Sequence, residues 1–139
     1  MAKAGVMPGR EIALFAAREA DEKKGETIHI YDLRGLSDVT DYFVLITAQS
    51  KLQIRAILYA IEKGLKERGV MILGHEGDSN SQWMLLDYAD CVIHIFSPEL
   101  RQYYNLEALW GDAPRLDWQA DATARPAASL RRPFRTARS

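Results

Sequence analysis

Trp83-Met84-Leu85-Leu86-Asp87-Tyr88-Ala89-Asp90 runs directly into Cys91-Val92-Ile93-His94-Ile95-Phe96-Ser97-Pro98-Glu99. Two short apolar runs flank an acidic four-residue turn, Asp87 to Asp90, which reads as adjacent antiparallel strands feeding a helix that opens at Ser97-Pro98. Side chains alternate along an extended chain, so residues 83–88 put Trp83, Leu85 and Asp87 on one face and Met84, Leu86 and Tyr88 on the other. Residues 91–96 split the same way into Cys91, Ile93, Ile95 and Val92, His94, Phe96. The helix after Ser97 runs to about Leu109 and offers Leu100, Tyr103, Tyr104 and Leu106 for packing.

Upstream, residues 8–24 predict a first helix with Ile12, Phe15, Ala16 and Ala20 on one face and Gly25 as its stop. Thr27 to Leu33 reads as a strand and 34–41 as a polar loop. Tyr42 to Ala48 is a short, nearly continuous apolar run, consistent with a strand covered on both faces. Ser50 followed by Gln53 is a capping-box pattern, and Leu52, Ile54, Ile57, Leu58, Ile61 and Leu65 mark the apolar stripe of the helix behind it, which Gly69 ends. Val70 to Leu73 reads as a short strand and Gly74 to Gln82 as a flexible polar loop. The order is helix, two strands, helix, three strands, helix. It predicts an α/β layered fold with a mixed sheet of about five strands flanked by helices.

A chain of 139 residues with 27% charged and 47% hydrophobic side chains suits one globular domain, here 1–119. Residues 120–139, rich in Ala, Arg and Pro, have too little apolar material to offset chain entropy and read as a disordered basic tail. The tail holds five arginines against Asp121, a charge of +4, so the total of −1 leaves the domain at −5. An acidic body is repelled by nucleic-acid phosphate and suits a basic protein surface, while the tail is a candidate contact for ribonucleic acid. No apolar run approaches the ~20 residues of a membrane span and the N-terminus lacks a signal-peptide layout, so a cytosolic protein without membrane contact is expected.

Catalytic patterns fail on geometry. Cys91 and His94 lie three apart on a strand and point to opposite faces, and the lone cysteine is expected to be buried and structural. His75-Glu76 lacks the second histidine of a zinc-protease motif, and no glycine-rich phosphate loop occurs, so neither metal nor cofactor is expected. Asp38/Asp41 and Asp87/Asp90 could hold a divalent cation, which keeps open a nucleotidyltransferase-like enzyme using nucleotide and Mg²⁺. Asp caps backbone N–H groups in turns, and that role accounts for both pairs.

An aromatic and acidic cluster survives these tests. Trp83, Tyr88, Tyr103, Tyr104 and Trp110 are five of thirteen aromatics, gathered with Asp87, Asp90, Glu99 and Arg101 between residues 83 and 110. Trp, Tyr and Arg anchor protein interfaces, and an acidic surround complements a basic partner. The expected partner-contact residues from this cluster are Glu99, Arg101 and Tyr104 beside the strand 83–88.

Four ordered blocks carry a family resemblance: Asp32-Leu33-Arg34-Gly35-Leu36-Ser37, Asp41-Tyr42-Phe43-Val44, Trp83-Met84-Leu85-Leu86-Asp87-Tyr88, and Leu106-Glu107 through Leu109-Trp110-Gly111-Asp112-Ala113-Pro114. The chain resembles the ribosomal silencing factor (RsfS/Iojap) family from about Ile12 to Leu116, with Ser97-Pro98-Glu99 where many relatives have His-Pro-Glu. The resemblance implies a nucleotidyltransferase-like fold without its catalytic apparatus. It implies a non-enzymatic factor that binds the large ribosomal subunit through ribosomal protein L-fourteen, blocks joining of the small subunit and represses translation. It further implies that Trp83, Leu86, Asp87 and Tyr88 lie in the binding surface. The oligomeric state stays open, a homodimer included.

Overall fold

The computed structural model describes residues 7–120 apart from 79 and 81. The chain runs α1 (Gly9–Glu22), β1 (Glu26–Asp32), β2 (Tyr42–Thr47), α2 (Lys51–Glu67), β3 (Gly74–Asp78), β4 (Trp83–Asp87), β5 (Cys91–Phe96), α3 (Pro98–Tyr104), α4 (Leu106–Leu109) and β6 (Arg115–Leu116). The strands form one six-stranded sheet in the order β3-β4-β5-β2-β1-β6. Only β2 and β5 are parallel; the other neighbours are antiparallel. These two central strands are the most apolar, as strands covered on both faces must be.

Helices α1 and α2 cover one face of the sheet. Ile12, Phe15, Ala16 and Ala20 of α1 and Ile54, Ile57, Ile61 and Leu65 of α2 are buried against Ile30, Val44, Ile46, Leu86, Ile93 and Ile95. Helix α2 starts where its cap dictates: the Ser50 hydroxyl accepts from the Gln53 amide N–H at 3.1 Å. The Gln53 side chain differs from a capping box, because its Oε1 accepts from the Gln49 amide and its Nε2 donates to the Lys23 and Lys24 carbonyls. It thus ties the end of α1 to the start of α2. The two helices approach so closely that a Cβ on Gly64 would stand 2.2 Å from the Phe15 ring.

Several expectations are corrected. Leu52 is 71% exposed, because its direction on α2 is opposite to the buried stripe. The strand after α2 is Gly74–Asp78 rather than 70–73: an edge strand needs only backbone pairing with β4, and polar residues satisfy that. The last helix breaks at Asn105, which takes a left-handed φ of 50°, and Tyr103 and Tyr104 point to solvent instead of packing. Structure also continues past Pro114: β6 pairs with β1, and the buried Trp118 donates its indole N–H to the Ile28 carbonyl at 3.0 Å. The expected disordered tail lies almost wholly outside the described residues.

Candidate functional site

The face of the sheet away from α1 and α2 is only partly covered. On β4 the alternation puts Trp83, Leu85 and Asp87 on this face, half-buried, while Met84 and Leu86, with Tyr88 following, are buried beneath. Register aligns Leu85 with His94 and Leu45, and Asp87 with Val92 and Phe43. Helices α3 and α4 and the segment to Ala113 close one end, where Tyr31, Leu33, Leu45 and Phe96 form a second core with Leu100, Leu106 and Trp110 against it. Phe43, Trp83, Leu85 and Asp87 remain partly open to solvent.

His94 organises this surface from within. Trp83 donates its indole N–H to His94 Nδ1 at 3.2 Å, and the rings of Phe43 and Phe96 lie 4.7 and 5.4 Å from the imidazole. Burial lowers the His94 pKa from 6.5 to about 4, so the ring is neutral near pH 7 with its proton on Nε2. The open strip is therefore apolar at its centre. Acids rim it: Glu76 pairs with Leu85 across β3 and is exposed, and Asp90 and the loop residues Asp38 and Asp41 are exposed beyond the Phe43 and Asp87 ends of their strands. Exposed Leu36, Val39 and Leu73 add apolar surface, Leu73 donating its amide N–H to the Asp87 carbonyl at 2.8 Å.

The expected contact residues do not form one patch. Trp83 and Asp87 share the open face. Leu86 and Tyr88 sit on the opposite face, 0% and 6% exposed, where they anchor the sheet on its helices and are closed to a partner. Glu99 and Tyr104 are exposed on α3, Tyr104 stacked edge-on with Tyr103 at 5.1 Å. Arg101 is corrected most clearly: it is 6% exposed and directs its guanidinium donors inside the protein. Its Nε and Nη2 grip both Glu107 oxygens at 3.2 and 3.1 Å, its Nη1 reaches the Thr27 carbonyl at 2.6 Å and Thr47 Oγ1 at 2.9 Å, and Nη2 also meets His29 Nδ1 at 3.4 Å. The break at Asn105 makes this possible. In an unbroken helix Glu107, six residues on, would point well away from Arg101.

The sequence reading missed Phe43, Leu85 and His94 as parts of this face. Leu85 was available from the alternation with Trp83; Phe43 and His94 were hidden in runs whose residues are all apolar or buried. Asp87 also has a local duty, since its Oδ1 accepts from the Ala89 amide at 2.8 Å and holds a turn in which Ala89 has a φ of 70°.

Cys91 faces the helix-side core, its thiol pKa raised by burial, while His94 faces the other way. Among the described residues no group of three His, Cys, Asp or Glu side chains could hold a metal ion, and no helix is long and apolar enough to cross a membrane.

A six-stranded mixed sheet with two helices on one face and a half-open aromatic strip on the other defines an α/β module. The family profile described as "Ribosomal silencing factor during starvation" matches residues 8–138, past the Leu116 at which the resemblance was expected to end, and the chain belongs to this family. It is 40% identical over 111 residues to the ribosomal silencing factor RsfS of Bacillus subtilis, covering 80% of this chain and 94% of that one. It is 34% identical over 109 residues to the chloroplastic protein Iojap of Zea mays, covering 78% of this chain and 47% of the relative. A crystal structure of a Chromobacterium violaceum protein superposes with a TM-score of 0.72 at 35% identity, covering 76% of this chain and 88% of that one.

Proposed function

We propose that this protein is a cytoplasmic, non-enzymatic translational repressor that docks on the large ribosomal subunit through ribosomal protein L-fourteen and sterically blocks the small subunit. The half-open strip of Phe43, Trp83, Leu85 and Asp87, apolar at the centre and acidic at the rim, supports this reading most. It has the composition of a protein interface, with aromatic anchors inside and charge outside suited to a basic partner. Family membership supports it independently. A contact of ~800 Å² per partner lies within reach of a domain of this size, and micromolar to nanomolar binding amounts to about −8 to −12 kcal/mol. Obstruction needs no bond made or broken.

Leu85→Arg tests the surface. Leu85 is half-buried on the open face, so the substitution costs the fold on the order of 1 kcal/mol while placing a cation where a basic partner would sit. Pull-down of purified large subunits should fall at least tenfold. Undiminished capture, with the fold retained, would remove this face from the interface. Tyr88→Ala is the wrong probe, because a buried aromatic is lost and the fold suffers first.

A further inference from the structure

The acidic body hides an opposite pole. Residues 7–120 carry twelve Lys and Arg against eighteen Asp and Glu, a charge of −6. Helix α2 with its following residue Arg68 holds five of those cations against Glu62 and Glu67, a charge of +3, so the rest of the described chain stands at −9. Lys51, Arg55, Tyr59, Lys63 and Lys66 recur at spacings of three and four and fall within an arc of about 120° on the helix. All five are exposed, and the buried stripe of Ile54, Ile57, Ile61 and Leu65 lies on the other side. Tyr59 is 65% exposed in the middle of the row.

The distribution along the helix is the second observation. An α-helix carries partial positive charge at its N-terminus and gains stability from acids there. Over 17 residues α2 has no acid in its first turn, and Lys51 and Arg55 stand at or just past that end. The helix dipole does not favour cations at this end; it favours an anion bound there. Beside the row a groove of about 380 Å³ between α1 and α2 is lined by Lys23, Tyr59, Lys63 and Arg68, together with Glu19 and Glu67. Glu67 is paired with Lys63, and burial raises the Glu19 carboxyl pKa.

We propose that the outward face of α2 contacts the phosphate backbone of ribosomal RNA, Lys51 and Arg55 meeting phosphates at the helix N-terminus and Tyr59 stacking on an unpaired base. This rests on the large-subunit docking above and deepens it: the protein is bipolar, its sheet face turned to a basic protein and its helix face to RNA. Basic side chains interleaved with an aromatic along one helix face are the recognition pattern for a nucleic-acid backbone, whose binding is read by its salt dependence.

The test uses the full chain and purified large subunits. Binding of wild type and of Lys51→Gln/Arg55→Gln is measured from 50 to 200 mM salt, and a benzophenone amino acid at position 59 is photo-crosslinked on the subunit. The double variant should bind about tenfold more weakly at the low end and show a log-log salt slope shallower by roughly 1.4 to 1.8, as two lost phosphate contacts require. The crosslink should land on ribosomal RNA. An unchanged slope, or crosslinks confined to ribosomal protein, overturns the RNA contact while leaving the docking intact. Failure of the wild type to bind large subunits overturns both.

Discussion

The indole N–H of Trp83 donates to Nδ1 of His94 across the β4–β5 pair, and this hydrogen bond is possible only while the imidazole is neutral at that nitrogen. The half-buried aromatic of the open strip is thereby held in place by a buried base.

Stability should consequently depend on pH. His94 has a folded pKa of about 4 against 6.5 when exposed, so the unfolded chain binds a proton between those values that the folded one does not. Its contribution is complete above about pH 6.5 and is lost as the pH falls toward 4, on the order of 3 kcal/mol in all. His29, also shifted down by burial, adds in the same direction. Urea titrations at pH 7 and pH 4.5 should show the drop, and His94→Phe should lessen the dependence on pH. An equal slope in that variant would assign the effect elsewhere.

Arg101 should behave as an internal brace. Arg101→Ala leaves the Thr27 carbonyl and Thr47 Oγ1 without their donor and Glu107 with His29 and solvent alone, a loss on the order of 2–3 kcal/mol. Glu107→Gln, which keeps acceptor oxygen and sits at the surface end of the pair, should cost about 1 kcal/mol. Denaturation midpoints decide the order; equal, small losses would show that the network contributes little. Thr27 adds weight to the brace, since a β-branched residue at a φ of 47° is strained and Arg101 holds its carbonyl.

The helix layer of this fold was readable because its pattern is local. The Ser50 cap, the stripe from Ile54 to Leu65 and the two-residue alternation from Trp83 to Tyr88 each follow from neighbouring side chains. What was not readable depends on distant ones. Gly74–Asp78 has no apolar face and becomes a strand only because β4 offers backbone groups to pair with. Arg101 has the composition of an interface anchor, and its burial follows from the Thr27 carbonyl 74 residues away and from the turn at Asn105. Trp83 and Tyr88, adjacent in the collar of aromatics, part company because they fall on opposite sides of a sheet. The open strip was therefore half legible: Trp83 and Asp87 from the alternation, Phe43 only from strand order.

Gly64→Ala should destabilise the protein although alanine is the better helix former. The added methyl meets the Phe15 ring, which Arg68 covers with its guanidinium 4.5 Å away, and overpacking of this kind costs about 1–3 kcal/mol against a propensity gain of about 1. Combining it with Phe15→Leu should recover part of the loss in a double-mutant cycle. Strict additivity would mean that the two residues do not press on each other.

Obstruction is the central claim, and sucrose-gradient sedimentation of purified ribosomal subunits at saturating protein tests it most directly. Free large and small subunits should persist at a magnesium concentration where they otherwise join, with the protein migrating alongside the large one, and Leu85→Arg should restore joining. Subunits that join to the same extent with and without the wild-type protein would contradict the account.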